Sequence, residues 1–257
     1  MIDVTLLNGW ATELAAAAKL AGAAIMELRR GDLAVSEKAD RSPVTAADAA
    51  AEEIILTAVD RLAAGFPVVA EERMAREGPP KISGDAFWLV DALDGTKEFI
   101  RGGDAFTVNV GLIYRKTPIL GVVHAPASRE TYVGIVGAGA RAELADSWQS
   151  IETRPRPRRV TILGSRSHEI KPEFERFIRD YPDAETIAVG SSIKFCMIAA
   201  GRADLYPRFG PTSEWDTAAG DAIVRAAGGR VHSFDGEPLG YGKPEFRNGR
   251  FLVEGSS

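Results

Sequence analysis

The chain has 257 residues, with 31 Lys and Arg against 36 Asp and Glu, for a formal net charge of −5. That balance argues against a broad nucleic-acid or anionic-membrane footprint, and 45% hydrophobic with 26% charged residues is the composition of a folded globular protein. One Cys cannot close an intramolecular disulfide, and one Cys with three His cannot build a zinc-finger cage, so a reducing, cytoplasmic setting is the expectation.

Residues 10–28 are Ala-rich and interrupted by Glu13 and Lys19, too charged for a spanning helix, and no basic segment precedes them as a signal peptide requires. Leu14, Ala17, Ala18, Ala21, Ala24, Ile25 and Leu28 recur at steps of three and four, one face of a first helix. Pro43 forces extended chain, and Thr45 stands as the N-cap of a second helix over 46–62. Two short apolar runs follow, 66–70 ending in Glu71-Glu72 and 87–90 ending in Asp91, read as buried strands that deliver acids at their carboxyl ends. Segments 106–113, 119–124 and 132–136, joined by short Pro, Gly and Ser-containing links, predict an antiparallel meander. Composition changes over 145–157, which divides the chain into an α+β part, 1–147, and an α/β part, 148–257. In the second part strands near 160–163, 186–189, 203–206, 230–232 and 251–253 alternate with helices from 172, over 192–200 and over 217–227, the last stopped by Gly228-Gly229.

The chemistry lies in the acids. Glu71, Asp91, Asp94 and Asp216 each end an apolar run beside a turn or helix start. A single acid in such a place is ordinarily a cap or a solvated loop residue. Trp88-Leu-Val-Asp91-Ala-Leu-Asp94-Gly95-Thr96 is more specific, because two carboxylates three apart follow a buried strand and Gly95-Thr96 can open a helix whose free amides receive an anion. Converging carboxylates raise one another's pKa unless cations neutralise them, and hard oxygen donors suit Mg²⁺ or Mn²⁺ rather than zinc. Cations beside an anion-binding helix start are what phosphoryl transfer needs. Neither a P-loop nor a G-x-G-x-x-G fingerprint occurs.

The stretch Trp88–Thr96 resembles the W-x-x-D-x-x-D-G-T signature of the inositol monophosphatase superfamily, and Trp215-Asp216-Thr-Ala-Ala-Gly220 resembles its W-D-x-A-A-G signature. Further segments are similar to the bacterial 3′(2′),5′-bisphosphate nucleotidase branch: 38–48, Asp94–Ile100, Phe106-Thr-Val-Asn109, Gly190–Cys196, Leu205–Thr212, and Pro238-Leu239 with Tyr241. The resemblance implies five alternating α-β-α-β-α layers and lithium-sensitive, Mg²⁺-dependent hydrolysis of adenosine 3′,5′-bisphosphate to AMP and phosphate, with two or three ions per site. It further implies that Glu71, Asp91 and the Leu93 carbonyl hold a first metal, that Asp91, Asp94 and Asp216 hold a second, and that a third leans on Glu71. By the same resemblance Asp48 and Thr96 help deprotonate the attacking water, the Gly95 and Thr96 amides receive the phosphate, and His168, Ser191, Lys194 and Arg208 contact the rest of the nucleotide. The branch commonly has Pro at 92 and Ser at 70, where this chain has Ala, and the 102–105 loop reads Gly-Gly-Asp-Ala. An inositol phosphate is the rival substrate, and a divalent-ion regulatory module is the rival without catalysis. The sequence leaves monomer and homodimer open.

Overall fold

The computed structural model describes residues 2–31, 35–37, 43–62, 65–165 and 171–256. Helix α1 (Val4–Leu28) opens on Asp3, whose Oδ1 accepts the Thr5 amide at 2.8 Å and so satisfies one of the free amides of the first turn. Of the expected face Leu14, Ala17, Ala18, Ala21 and Ile25 are buried, Ala24 is half-buried, and Leu28 at the end of the helix is exposed. A short antiparallel pair, β1 (Ser36–Glu37) and β2 (Pro43–Val44), leads into α2 (Ala46–Leu62), which starts directly after Thr45 as expected.

There follow β3 (Val68–Ala70), α3 (Glu71–Glu77), β4 (Ala86–Asp94), α4 (Thr96–Ile100), β5 (Thr107–Tyr114), β6 (Thr117–Ala125), β7 (Glu130–Ile135), β8 (Gly139–Leu144) and β9 (Ser147–Ile151). These strands form one sheet in chain order, parallel between β3 and β4 and antiparallel from there on, so the expected meander is present and is two strands longer. The added hairpin escaped sequence reading because β9 is exposed along most of its length and carries little apolar signal. It also spans the 147/148 division suggested by composition, so the sheet runs on past that point to Ile151.

The remaining elements are β10 (Thr161–Gly164), α5 (Lys171–Arg179), β11 (Glu185–Ala188), α6 (Ile193–Ala199), β12 (Leu205–Arg208), β13 (Thr212–Ser213), α7 (Ala218–Ala226), β14 (Arg230–Ser233), β15 (Arg247–Asn248) and β16 (Phe251–Glu254). A second sheet has the order β11-β10-β12-β16-β14, with β10 parallel to both neighbours, and β13 pairs separately with β15.

The layers run α1 and α2, the seven-stranded sheet, α6 and α7, the five-stranded sheet, then α5, which is the expected five-layer sandwich. Trp88 and Val90 of β4 join the core under α1 and α2, whereas Phe87 and Leu89 join the core shared with α6 and α7. A strand covered on both faces reads as one continuous apolar run. Helix α7 lies directly on the first sheet over Gly111, Gly121 and Gly134. A Cβ at Gly121 would stand 2.1 Å from the Ala219 carbonyl oxygen, so only glycine admits the helix at this depth. Among the described residues no helix is long and apolar enough to cross a membrane.

Candidate active site

The sequence places Asp91 just beyond a strand, but β4 continues through Asp94. In a regular strand residues three apart point to opposite faces. Here Asp91 pairs with Asn109 and Asp94 with Thr107, so three steps on β4 match two on β5. The extra residue is a β-bulge. It restores the parity and brings both carboxylates to the same side, at the mouth of one cleft.

Glu71 is the first residue of α3, immediately after β3, and β3 runs parallel to β4, so its side chain arrives at the same end. Asp216 comes from the turn ahead of α7. Oxygens of Glu71, Asp91 and Asp216 lie within 4.8 Å of one another. Neighbours fix each of them: the Trp215 indole Nε1 donates to Glu71 Oε2 at 3.2 Å, the Leu93 amide to Asp91 Oδ1 at 3.0 Å, and the Ser213 amide and Thr212 hydroxyl both donate to Asp216 Oδ2. Asp94 stands outside that trio, and its Oδ2 accepts the Ser192 amide at 2.6 Å.

Burial pushes the Asp91 carboxyl well above its usual range, and the charges of Glu71, Asp94 and Asp216 add to this. Burial, then the charges of Asp94 and Glu71, raise Asp216 to about 7. Burial raises Asp94 too, while the Lys194 ammonium pulls it back. Carboxylates gathered at a cost to their own ionisation, with oxygen donors alone, fit a hard divalent cation.

Asp48 lies in the first turn of α2 and, contrary to the ordinary expectation for a helical acid, is buried. Its Oδ2 accepts both the amide and the hydroxyl of Thr45 at 2.7 Å, while Thr45 Oγ1 accepts the Ala47 amide, a reciprocal cap. Asp48 Oδ1 is 3.0 Å from Thr96 Oγ1, which is also 3.1 Å from the Leu93 carbonyl. Gly95 precedes α4 at φ +100, and a Cβ there would stand 2.8 Å from the Ala105 carbonyl, so the close approach of the 105–106 backbone also requires glycine. The unusual 102–105 loop is pinned by Arg29, which donates to Asp104 Oδ1 at 2.9 Å and to the Gly103 carbonyl at 3.0 Å.

The acids Glu71, Asp91, Asp94 and Asp216 line one cleft of about 500 Å³ with Gly95, Thr96, Ser191, Lys194 and Arg208, while Asp48 stands behind Thr96 and outside that lining. Ser191 sits at φ +50, a left-handed conformation rare for serine. Arg208 Nε and Nη2 donate to the Gly210 and Pro211 carbonyls at 3.2 and 3.1 Å. Lys194 is not a surface cation: it is buried, burial lowers its pKa to about 7, and its ammonium donates to the Val189 and Ser191 carbonyls. His168 lies outside the described residues.

Sequence reasoning missed the residues behind the acids. Ser192 Oγ is 2.6 Å from Asn109 Oδ1 and 2.8 Å from Thr107 Oγ1. Thr107 and Asn109, two apart and therefore on one face of a buried strand, were the available signal. Glu52 accepts the Glu72 amide at 2.9 Å and so steadies the head of α3 beside Glu71.

The chain matches the model of the inositol monophosphatase family over residues 8–255. It is 44% identical over 243 residues to the 3′(2′),5′-bisphosphate nucleotidase CysQ of Escherichia coli K12, covering 92% of this chain and 96% of that protein. It is 38% identical over 226 residues to the CysQ of Buchnera aphidicola, covering 87% and 84%. Among solved structures it resembles CysQ from Bacteroides thetaiotaomicron with a TM-score of 0.80 at 38% identity, over 96% of this chain and 97% of that one. An inositol monophosphatase from Anabaena gives 0.77 at 25% identity, over 98% and 92%.

Proposed function

The chain belongs to the inositol monophosphatase family, and from that premise and its acidic cleft we infer that it is a metal-dependent phosphomonoesterase hydrolysing adenosine 3′,5′-bisphosphate to AMP and phosphate. The observation that carries the reading is the convergence of Glu71, Asp91 and Asp216 on one side of a cleft that also holds Gly95 and Thr96. The nucleotide is favoured over an inositol phosphate because identity is 44% to the E. coli nucleotidase and 25% to the Anabaena inositol monophosphatase.

In this reading Glu71, Asp91, the Leu93 carbonyl, Asp94 and Asp216 hold two or three divalent cations, Mg²⁺ first and Mn²⁺ as substitute. Such cations, when bound, neutralise the phosphate and the departing alkoxide and acidify water. The Gly95 and Thr96 amides hold the non-bridging phosphate oxygens in place. The Thr96 hydroxyl donates to Asp48 Oδ1, which leaves its oxygen lone pairs free to accept a proton from the attacking water. Thr45 occupies Asp48 Oδ2, so the carboxylate is fixed as an acceptor and cannot swing away. Water oxygen bonds to phosphorus while its proton passes to the Thr96 oxygen and the Thr96 proton to Asp48 Oδ1, the bond to the ribose 3′ oxygen breaks, and that oxygen takes its proton from solvent water. Arg208, Ser191 and His168 take the distal parts of the nucleotide, and a bisphosphate's second phosphate needs such a cation outside the metal cluster.

Phosphate release is to be measured with adenosine 3′,5′-bisphosphate, its 2′,5′ isomer, the sulfated 3′-phospho nucleotide and inositol 1-phosphate, each with Mg²⁺ or Mn²⁺. The bisphosphate is expected to exceed inositol 1-phosphate in kcat/KM by at least about tenfold. The reverse ranking overturns the nucleotide assignment, and no turnover of any monoester overturns the phosphatase.

A further inference from the structure

We propose that Arg247 is a further substrate-binding and specificity-determining residue, which meets an anionic group of the nucleotide outside the metal cluster. The proposal rests on the nucleotide reading given above. Lys194 and Arg208 line the cleft from segments that resemble the nucleotidase branch, whereas Arg247 lines it from outside all of those segments. Its side chain is exposed, and among the described residues its guanidinium has no hydrogen-bond or ion-pair partner, although acids line the same cleft. It is therefore not spent on neutralising the carboxylates. A planar fork of five donors is left to receive a phosphate or a sulfate.

The side chain is free, but the backbone that carries it is fixed. Arg247 opens β15 between two buried residues, Phe246 and Asn248. The Phe246 ring packs edge-on against Phe87 of β4 at 6.3 Å, and its carbonyl accepts the Glu214 amide at 2.7 Å. Asn248 donates to Thr217 Oγ1 at 2.8 Å and accepts from Lys243 Nζ at 2.8 Å. Lys243 pairs in turn with the buried Glu214, whose second oxygen accepts the Gly242 amide at 2.7 Å. Neighbours along a strand point to opposite faces, so burying Phe246 and Asn248 turns Arg247 the other way, into the cleft. In the ladder Arg247 stands directly opposite Ser213, whose amide holds Asp216, and both residues line the cleft. Cross-strand partners share a face, so the guanidinium starts beside the backbone that positions the last acid. A ligand with one phosphate spends it on the metals and leaves Arg247 unused. A nucleotide with a second anionic group can engage both, and a rigidly mounted cation does so at little cost in ordering.

The test compares wild type, Arg247→Gln and Arg247→Lys at saturating Mg²⁺ on adenosine 3′,5′-bisphosphate, the sulfated 3′-phospho nucleotide and inositol 1-phosphate. Arg247→Gln is expected to raise KM about tenfold on at least one of the two nucleotides, with kcat within about threefold, because a contact to a non-reacting group holds ground and transition states alike. The nucleotide that loses more identifies whether a phosphate or the outer sulfate meets the guanidinium. Inositol 1-phosphate is expected to change by less than about threefold. The loss should narrow as KCl is raised from about 50 mM to about 500 mM, and Arg247→Lys, which keeps the charge without the fork, should recover part of it. Since the side chain is exposed, Tm should stay within about two degrees of wild type. Equal losses on all three substrates, or KM unchanged on both nucleotides, overturn the proposal. A wild-type protein that does not prefer the nucleotides overturns the substrate reading and the proposal together. A nucleotide-preferring wild type that Arg247→Gln leaves unaltered overturns the proposal alone.

Discussion

The Thr96 hydroxyl and the Asp48 carboxylate meet at 3.0 Å although 48 positions of chain separate them. Each belongs to the first turn of a different helix, and each is held by its own local bonds, Asp48 by Thr45 and Thr96 by the Leu93 carbonyl. Orienting the attacking water matters chiefly in the transition state. Thr96→Ala is therefore expected to lower kcat by about 10²- to 10⁴-fold with KM nearly unchanged, as read by steady-state kinetics at saturating Mg²⁺. A change in KM alone would make Thr96 a substrate-binding group instead.

Asp94→Asn keeps an oxygen for the Ser192 amide and removes the charge. The expected outcome is a loss of about 10³-fold in kcat with an unchanged circular dichroism spectrum and melting curve. Near-normal turnover by the folded variant removes Asp94 from the set of metal-binding groups.

The carboxyl pKa values set a pH signature for the metal-free protein. Asp91, Asp94 and Asp216 are all raised on folding, Asp216 to about 7. A group raised in this way contributes stability that is complete below its unfolded pKa and is lost as pH rises through the folded value. The metal-free protein is thus expected to melt several degrees lower at pH 8 than at pH 5.5, with Mg²⁺ or Mn²⁺ restoring it at pH 8. Below pH 7 the cation must displace at least one proton, so apparent Mn²⁺ affinity should fall about tenfold per pH unit. Affinity independent of pH from 5.5 to 8 contradicts the picture of mutually repelling acids.

Arg208 braces the 210–211 turn that leads to Thr212 and Ser213, the partners of Asp216. Arg208→Ala is expected to cost about 10- to 150-fold in kcat/KM on adenosine 3′,5′-bisphosphate, the value of one charge-assisted contact. Inositol 1-phosphate, which feels only the slackened turn, should lose less than about threefold to tenfold. Equal losses on both would assign Arg208 to the brace alone.

Helix α7 carries Asp216 at its head and rests on glycine. Gly121→Ala is expected to destabilise the protein by about 3 kcal/mol, seen as a lower urea midpoint, because the clash falls on helix backbone that cannot rotate away. Substitution without effect on the midpoint would mean that α7 can lift from the sheet.

Much of this was legible in the sequence, for reasons that differ from element to element. β4 and the meander announce themselves because strands buried on both faces are continuously apolar. The edge hairpin of β8 and β9 does not, since an exposed strand needs little hydrophobic pattern to pair. The acids of the trio could be picked out because each ends an apolar run. Asp48 could not be distinguished from a solvated helical acid without the family resemblance, because its burial follows from Thr45 and Thr96 folding over it. Lys194 was legible as a basic residue in a matching segment, but nothing in one dimension tells that it is buried and that its ammonium also donates to main-chain carbonyls.

The bulge between Asp91 and Asp94 turns the signature's spacing into a rule of parity. An insertion or deletion of one residue there would rotate one acid through the sheet to the side under α1 and α2, into apolar packing. The same change in the exposed turn between β8 and β9 would alter only a loop. Tolerance to length variation is thus distributed very unevenly along one sheet. The buried apolar residues of this strand can be exchanged for others of like volume, but the count between its two aspartates cannot change.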